Sequence, residues 1–236
     1  MEDRRTAEGE GSRPIADDPP AERAYPRGGT RPGEPSQIAL PLAAASPGAR
    51  RIVLGPANEA VAAALSDPSG WPFRTAVLTG PPRSGKSLFA RWFEGSGRGA
   101  AIDDGQRMDE AALFHRWNRA QEEARPLLIV GGEPPWRIAL PDLASRLGAA
   151  LQLEIGQPDD AMAADLLLAM AEQRGLPLGE GAAAWLVPRL ERSYAALERV
   201  VAEIDRLSLE RKAPATHSLW RAGLEAVMGP EEPRLL

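Results

Sequence analysis

The sequence predicts an α/β fold with a parallel sheet flanked by helices, followed by a small all-helical domain. Between residues 75 and 155, short apolar runs alternate with helical patterns, and such alternation requires a parallel sheet with crossover helices. A glycine-rich loop joins the first apolar run to the first of these helices. After Gly156 only helical patterns follow. We therefore expect an α/β domain at 52–156 and a helical domain at 157–229.

Four short runs are typical of buried strands, because they are rich in aliphatic residues and bounded by turn-forming ones. They lie at 75–79, 100–103, 127–130 and 151–155. The run at 127–130 has no polar alternation, which indicates a strand that is covered on both faces.

Helical periodicity fills the segments between and after these strands. We predict helices at 87–94, 109–123, 142–147, 159–173, 180–190, 193–212 and 216–228. In the helix at 193–212 one face is apolar, comprising Tyr194, Leu197, Val200, Val201, Ile204 and Leu207. In the helix at 109–123, His115 falls among apolar positions and is expected to be a packing residue. The six tryptophans are spread singly, so we expect them in the core or at its rim.

Composition indicates a folded, soluble protein and excludes several kinds of site. Hydrophobic residues make up 43% and charged residues 26% of the 236 residues, enough for a sizeable core. The absence of cysteine excludes disulfides and thiolate metal sites, and the presence of two histidines alone argues against a His-rich metal centre. A net charge of -5 argues against a dedicated nucleic-acid-binding domain. No apolar run reaches the about 18 residues of a membrane span, and no signal peptide opens the chain, so we expect a cytoplasmic location.

The first 42 residues differ from the rest of the chain. Residues 1–36 contain 6 proline and 5 glycine residues, with Ile15 as the sole Leu, Ile, Val or Phe, so we expect this tail to be disordered. A short apolar segment follows, in which the candidate partner-binding residues are Gln37, Ile38, Leu40, Pro41 and Leu42. Such a segment is typical of a linear motif that docks into a groove of another protein. The alternative is that it folds back onto its own domain. Residues 230–236 are expected to be a flexible C-terminus.

A phosphate-binding loop is the clearest functional motif. Gly80, Pro81, Pro82, Arg83, Ser84, Gly85, Lys86 and Ser87 fit G-x-x-x-x-G-K-[ST] at every fixed position, between a strand and a helix. Backbone amides of such a loop surround phosphate oxygens, Lys86 would reach the outer phosphates, and Ser87 would bind Mg²⁺. The alternative is an ordinary glycine-rich turn. Of 28 basic residues only Lys86 and Lys212 are lysine, which favours a specific task for Lys86.

Two carboxylates follow the second predicted strand. Because carboxyl ends of parallel strands meet at one edge, Asp103 and Asp104 should lie near the loop. Asp103 would complete the Mg²⁺ site and Asp104 would orient an attacking water. The alternative is turn or helix-capping chemistry, for which Asp-Asp-Gly is also well suited.

With these motifs together, the chain from residue 52 to about 228 resembles the AAA+ family, in the branch that contains the replication initiator DnaA and its shorter homologue Hda. The segment 102–118 resembles that branch's second nucleotide motif and the helix after it. Residues 140–147 are similar to the box that directs an arginine, here Arg146, at a neighbouring subunit's nucleotide. Val53 and Gly55 fall in the segment that flanks the adenine. The resemblance implies an AAA+ P-loop NTPase sheet, a small all-α lid domain, and ADP or ATP with Mg²⁺ as ligands.

The sequence also departs from the family pattern. Asp103 comes only 17 positions after Lys86, so an edge strand and its helix are expected to be absent. Gly131 and Gly132 stand where the family usually has a polar sensor residue, and Ala195 stands where the lid usually carries an arginine. Arg192 lies about one turn earlier and is the candidate replacement, the alternative being a solvated charge paired with Glu191 or Glu198. These departures predict weak ATPase activity of the chain itself.

The order of residues 37–42 resembles the motif with which Hda binds the sliding clamp. The resemblance therefore implies a regulator that is tethered to the clamp and presents Arg146, as an arginine finger in trans, to the ATP on DnaA. No helix-turn-helix or basic domain follows the lid, so we expect contact with DNA only through partners, no membrane contact, and possible homo-oligomers. Alternatives are an autonomous P-loop ATPase such as a helicase loader, and a clamp-binding interaction module with a vestigial nucleotide site. Arg146 could also cap its helix or pair with Asp142.

Overall fold

A computed structural model describes residues 51–229, and these contain the predicted parallel sheet. Its strands are β1 (Thr75–Thr79), β2 (Ala100–Ile102), β3 (Leu127–Val130) and β4 (Leu151–Glu154). All three neighbouring pairs are parallel, and the strand order is β2-β3-β1-β4. The tail at 1–36, the apolar segment at 37–42 and the C-terminus at 230–236 lie outside the described residues.

Eight helices surround or follow this sheet within the described residues. They are α1 (Glu59–Ser66), α2 (Lys86–Gly95), α3 (Glu110–Glu122), α4 (Pro141–Gly148), α5 (Asp160–Gln173), α6 (Glu180–Leu186), α7 (Tyr194–Arg211) and α8 (His217–Met228). The seven predicted helices are all present, whereas α1 was not predicted. The helix predicted at 180–190 is shorter: α6 ends at Leu186, and a 3-10 turn at Val187–Arg189, which contains Pro188, replaces its last turn. The predicted domain boundary after residue 156 falls between β4 and α5.

The sheet is covered by helices on both faces. Alternate residues of β1 point to opposite faces, and Leu78 packs in the cluster formed with α1 and α2, where Phe89 and Phe93 are fully buried. Val77, between Ala76 and Leu78, packs in the cluster formed with α3 and α4. This two-sided burial explains why β1 and β3 are apolar without alternation.

The helices after the sheet have a core of their own. The apolar face predicted for α7 is confirmed, since Tyr194, Leu197, Val200, Val201, Ile204 and Leu207 are all buried. Helix α8 packs closely on this face, where a Cβ on Gly223 would lie 2.5 Å from Ile204 Cγ1. Side chains of α5 and α6 complete the cluster.

One packing prediction is wrong: His115 is exposed. The buried face of α3 is formed by Leu113, Trp117 and Ala120, a spacing of four and three residues that defines one side of a helix. His115 lies two residues from Leu113 and from Trp117, and its position is therefore on the other side. The prediction for the tryptophans is confirmed, since three are buried and the other three are partly exposed. The buried ones are Trp71, Trp92 and Trp117, and the partly exposed ones are Trp136, Trp185 and Trp220.

Register places the carboxyl ends of the strands at one edge of the sheet. Leu78 pairs with Val130, Ile102 pairs with Ile129, and Thr79 pairs with Glu154. The segments that follow these strands therefore meet at one edge, which is where ligands bind in open parallel sheets. Between residues 51 and 229, no helix has both the length and the apolar character that a membrane crossing requires.

Close packing at the start of β2 leads to a stability prediction. A Cβ on Gly99 would lie 2.4 Å from the carbonyl oxygen of Pro126 and 2.5 Å from the ring of Phe93. We expect Gly99→Ala to lower the free energy of unfolding by about 1–3 kcal/mol, because the backbone must move to accept the methyl group. Urea denaturation measures this change. The matched control is Gly95→Ala, whose Cβ would meet nothing within 4 Å; equal midpoints for the two variants would contradict the packing described here.

Candidate functional site

A cleft of about 710 Å³ lies at the carboxyl edge of the sheet. The loop at 80–87, the segment 51–53 and side chains from α5 and α7 form its walls. Most residues of the predicted phosphate-binding loop line it, namely Gly80, Pro82, Arg83, Ser84, Gly85, Lys86 and Ser87. The structure therefore brings the loop and the helices that follow the sheet to one concave site.

The curvature of the loop depends on its two glycines. Gly80 has φ 147° and Gly85 has φ 90°, and both angles lie where side chains are strained. At Gly80 a Cβ would also lie 2.9 Å from the carbonyl oxygen of Ile155. Helix α2 begins directly after Gly85, so its unpaired amides and the positive end of its dipole lie at the loop, where they favour an anion.

The side chain of Lys86 folds back onto the first residues of its own loop. Its Nζ donates hydrogen bonds to the carbonyl oxygens of Gly80 and Pro81, each at 2.7 Å. Loss of hydration on burial lowers the pKa of Lys86, and the negative charges of Glu133, Asp103 and Asp104 partly oppose this shift. An anionic group in the cleft would stabilise the charged ammonium further.

Ser84 carries a hydroxyl without a partner in the described part of the chain. The residue is only 6% exposed, and its Oγ makes no hydrogen bond. Buried polar atoms are normally paired, so an unpaired hydroxyl within this loop is consistent with a ligand that supplies an acceptor. Together with Lys86 and the helix terminus, Ser84 makes the loop fit a phosphate group.

Ser87 and Asp103 are in direct contact although they are 16 positions apart in the sequence. Ser87 Oγ donates a hydrogen bond to Asp103 Oδ1 at 3.1 Å. Hydroxyl and carboxylate oxygens are the ligands that Mg²⁺ takes beside substrate phosphates and water. No group of three or more His, Asp or Glu side chains suited to a metal ion occurs among residues 51–229. Ser87 and Asp103 thus suit a Mg²⁺ ion whose other ligands come mainly from a bound nucleotide and water. They do not form a metal site made of protein ligands alone.

Asp104 lies beside this pair and lines the cleft. It adopts a left-handed conformation with φ 52°, and its Oδ1 accepts a hydrogen bond from Gln106 Nε2 at 3.3 Å. Its backbone amide donates to Asp103 Oδ1 at 3.1 Å. Asp103 Oδ1 therefore accepts hydrogen bonds both from the backbone of its own turn and from Ser87 of the phosphate loop. The turn predicted for Asp-Asp-Gly and the predicted contact with the loop are compatible with each other.

The segment predicted to flank the adenine is held by Asn58, which is 3% exposed. Its Nδ2 donates to the carbonyl oxygen of Val53 at 2.9 Å, and its Oδ1 accepts from the amide of Gly55 at 3.0 Å. Val53 lines the cleft. Gly55 does not line it and instead packs against Met162, whose Sδ would lie 2.9 Å from a Cβ at this position.

Several cleft residues were not predicted from the sequence, among them Tyr194 and Glu133. Tyr194 had been assigned to the apolar face of α7, but it also lines the cleft and donates a hydrogen bond to the carbonyl oxygen of Gly156 at 3.0 Å. Burial raises the pKa of Tyr194 to about 12, so the hydroxyl stays protonated as this donor. Glu133 also lines the cleft; it directly follows Gly132, and this adjacency was the signal that could have identified it.

Arg192 and Ala195 do not line the cleft. The Nε of Arg192 lies 2.8 Å from Asp160 Oδ1, so the ion pair expected with Glu191 or Glu198 forms with Asp160 instead. Glu198 does line the cleft and pairs with Arg83 of the loop at 3.2 Å. Within the cleft, the arginine that contacts α7 is therefore Arg83 of the loop. Arg192 lies outside the cleft.

Arg146 lies on another part of the surface. Its guanidinium carbon is 4.6 Å from the centre of the Phe114 ring and 4.5 Å from that of Trp117. Its Nη1 donates to Asn118 Oδ1 at 2.9 Å, so the observed partner of Arg146 is Asn118 and not Asp142. Arg146 lines a separate open depression with residues of α3. Arg146 therefore does not contribute to the cleft of its own chain.

Comparison with known proteins agrees with this architecture. Residues 160–219 match the family model described as Hda, lid domain. Domain III of the replication initiation protein DnaA from Thermotoga maritima has a similar fold, with a TM-score of 0.62 and 15% identity over 75% of this chain and 95% of that chain.

Two further solved structures have lower scores. A replication initiator DnaA bound to AMPPCP and single-stranded DNA has a TM-score of 0.51 at 15% identity, covering 68% of this chain and 66% of that one. A variant of Thermotoga maritima RuvB also has 0.51 at 15% identity, covering 74% and 70%. At these identities the similarity to solved structures establishes the fold, and the lid match is the specific link to Hda.

Proposed function

We propose that this chain, an AAA+ protein related to Hda and DnaA, is a regulator of replication initiation that binds ADP or ATP and acts on DnaA. The observation that carries the proposal is the contact of Ser87 with Asp103 beside a loop that fits phosphate. This contact brings residues of two separate sequence motifs together, as a shared nucleotide site would require. The similar DnaA structure with bound AMPPCP supports the choice of an adenine nucleotide.

In this proposal the loop residues bind the phosphates and position them. Backbone amides between Gly80 and Ser87 donate to phosphate oxygens, and the Lys86 ammonium moves from the carbonyl oxygens of its own loop to the outer phosphates. Ser87 and Asp103 hold Mg²⁺, which neutralises phosphate charge when it is bound. The base packs against Val53 and the apolar side chains of α5 that line the cleft, Leu166 and Met170.

The chain's own hydrolysis is proposed to be weak. Asp104 is the candidate to orient a water, but its carboxylate also interacts with Gln106. Strand β3 continues into Gly131 and Gly132, neither of which has a polar side chain for the outermost phosphate. The nucleotide then acts chiefly as a ligand that sets the angle between the sheet and the helices that follow the sheet. Its effect is to shift the chain between conformations, and it is not consumed as a substrate.

Arg146 is proposed to act in trans on the ATP bound to DnaA. The half-buried guanidinium is oriented by two aromatic rings and Asn118, so little side-chain freedom is lost when it meets a partner's phosphates. An arginine delivered in this way stabilises charge in the transition state of phosphoryl transfer. DNA is reached through the partners in this account, and homo-oligomers that use the same surface are compatible with it.

The apolar segment at 37–42 is proposed to bind the sliding clamp. Gln37 would hydrogen-bond in a small polar pocket, and Ile38, Leu40 and Leu42 would enter an apolar cleft, with Pro41 keeping the segment extended. This tethering would raise the local concentration of the chain near DnaA on clamp-loaded DNA.

We expect replacement of Gln37 and Leu40 by alanine to abolish clamp binding. Two anchors of a short motif carry most of its binding energy, so we expect the affinity to fall at least about a hundredfold in surface plasmon resonance with immobilised clamp. The matched control is Ser36→Ala, just before the motif, which should bind normally. Unchanged binding of the double variant would refute the clamp motif, and it would leave the nucleotide site and Arg146 as separate questions.

A further inference from the structure

One ion pair joins the phosphate loop to helix α7. Arg83 Nε lies 3.2 Å from Glu198 Oε2, with 64% of the Arg83 side chain and 29% of the Glu198 side chain exposed. Both residues line the cleft. Arg83 belongs to the loop that fits phosphate, whereas Glu198 lies one turn beyond Tyr194, so the pair connects the part of the site that meets the ligand with the part that follows the sheet.

The cleft is lined by more basic than acidic side chains, and Glu198 is one of the acidic ones. Six basic side chains line it: Arg51, Arg83, Lys86, Arg91, Arg107 and Arg174. Three carboxylates line it, and Asp104 and Glu133 both lie at the carboxyl edge of the sheet, whereas Glu198 comes from α7. The excess of positive charge favours a polyanionic ligand. Glu198 neutralises one of these cations in the absence of such a ligand.

A bound phosphate and Glu198 would therefore compete for Arg83. A guanidinium donates to phosphate oxygens as a fork, and a nucleotide phosphate carries more negative charge than one carboxylate. Arg83 has φ 65°, which holds its backbone in the left-handed conformation within the loop. Because the Arg83 side chain is largely exposed, it can exchange partners by rotating, without displacing buried groups.

We propose that Arg83 and Glu198 form a latch that senses the nucleotide: Glu198 holds Arg83 in the free protein, and the phosphates of the nucleotide take Arg83 away and release α7. The latch rests on the proposed nucleotide site. Release would leave α7 folded, because Ser193 caps its N-terminus through the amide of Ala196 and Tyr194 remains bonded to Gly156. Only the ion pair between the loop and α7 would be broken.

Competition between Glu198 and phosphate for Arg83 predicts an effect on nucleotide affinity that an ion pair with a purely structural role does not predict. If Glu198 and phosphate exclude each other, removing the carboxylate must strengthen nucleotide binding, by reciprocity of coupled equilibria. If the pair instead orients Arg83 towards the phosphate, removing Glu198 must weaken binding. The sign of the change therefore distinguishes a latch from a support.

The test is calorimetric titration of the full chain with ADP and Mg²⁺. We expect Glu198→Gln to tighten binding about twofold to fivefold, the range for a partly exposed ion pair. Arg83→Ala should weaken it about tenfold through loss of a charge-assisted contact. In the Arg83→Ala background, Glu198→Gln should have no further effect, because the group for which it competes is gone. Glu203→Gln is the matched control, since Glu203 pairs with Arg206 on the same helix, and it should bind like the original chain.

Each outcome separates the latch from the nucleotide site itself. Normal ADP binding together with unchanged or weaker binding by Glu198→Gln overturns the latch and leaves the nucleotide site intact. Tightening that persists in the Arg83→Ala background also overturns it, because the effect would then be general electrostatics. If the unaltered chain binds no ADP, the nucleotide site and the latch are both wrong.

Discussion

Replacing Arg146 by alanine is expected to abolish the stimulation of ATP hydrolysis on DnaA. An arginine finger contributes a factor of about a thousand or more to phosphoryl transfer, and Arg146 lies on a surface separate from the chain's own cleft. Binding of ADP and of the sliding clamp should be unchanged, since neither site includes Arg146. The measurement is the conversion of ATP prebound to DnaA, in the presence of DNA-loaded clamp.

Two further variants make this prediction specific. Arg146→Lys keeps the charge but loses the planar fork of donors, so we expect most of the stimulation to be lost. Arg119→Ala removes an arginine of the same depression that pairs with Glu123, and it should stimulate normally. Because Arg146 also packs on Phe114 and Trp117, the thermal midpoint of each variant shows whether the fold is retained. Full stimulation by folded Arg146→Ala would exclude the finger.

Lys86→Ala is expected to lower the affinity for ADP and ATP about tenfold to a hundredfold. The variant loses a charge-assisted contact to phosphate in a partly desolvated site, and each such bond contributes about 1.5–3 kcal/mol. Titration calorimetry measures the change. Lys212→Ala is the control, because Lys212 is exposed at the end of α7 and lies outside the cleft. Normal nucleotide affinity of Lys86→Ala would contradict the proposed site.

The results of these titrations also decide between the remaining alternatives. Failure of the original chain to bind either nucleotide would favour an interaction module with a vestigial site. Rapid steady-state hydrolysis without any partner would favour an autonomous ATPase. The expected result is binding with slow hydrolysis, since Gly131 and Gly132 follow β3 where a polar sensor would be needed.

The regular elements could be predicted because local patterns determine them. The apolar face of α7 repeats at helical spacing over 18 residues, and β3 is a continuous apolar run. Helix α1 was missed because it spans only Glu59–Ser66, and half of these residues are alanine, which gives a weak amphipathic pattern. His115 was wrongly predicted to be buried because it lies between Leu113 and Trp117 in the sequence, although helical geometry places it on the opposite side of α3.

Contacts between distant segments could not be predicted, because local spacing carries no information about them. Arg192 pairs with Asp160, which lies 32 residues away, whereas the sequence suggested only near neighbours. Arg83 and Glu198 are brought together by the packing of α7 near the loop. The contact between Ser87 and Asp103 is the exception: both residues belong to motifs, and the parallel sheet dictates where they meet.

We propose above that the chain promotes hydrolysis of the ATP on DnaA from a position on the clamp. The most direct measurement reconstitutes DnaA carrying labelled ATP, DNA-loaded clamp and this chain, with and without ADP, and follows the conversion of bound ATP to ADP. We predict rapid conversion only when the clamp, the chain and ADP are all present. Conversion at the rate of DnaA alone, with the chain bound to the clamp, would contradict the account.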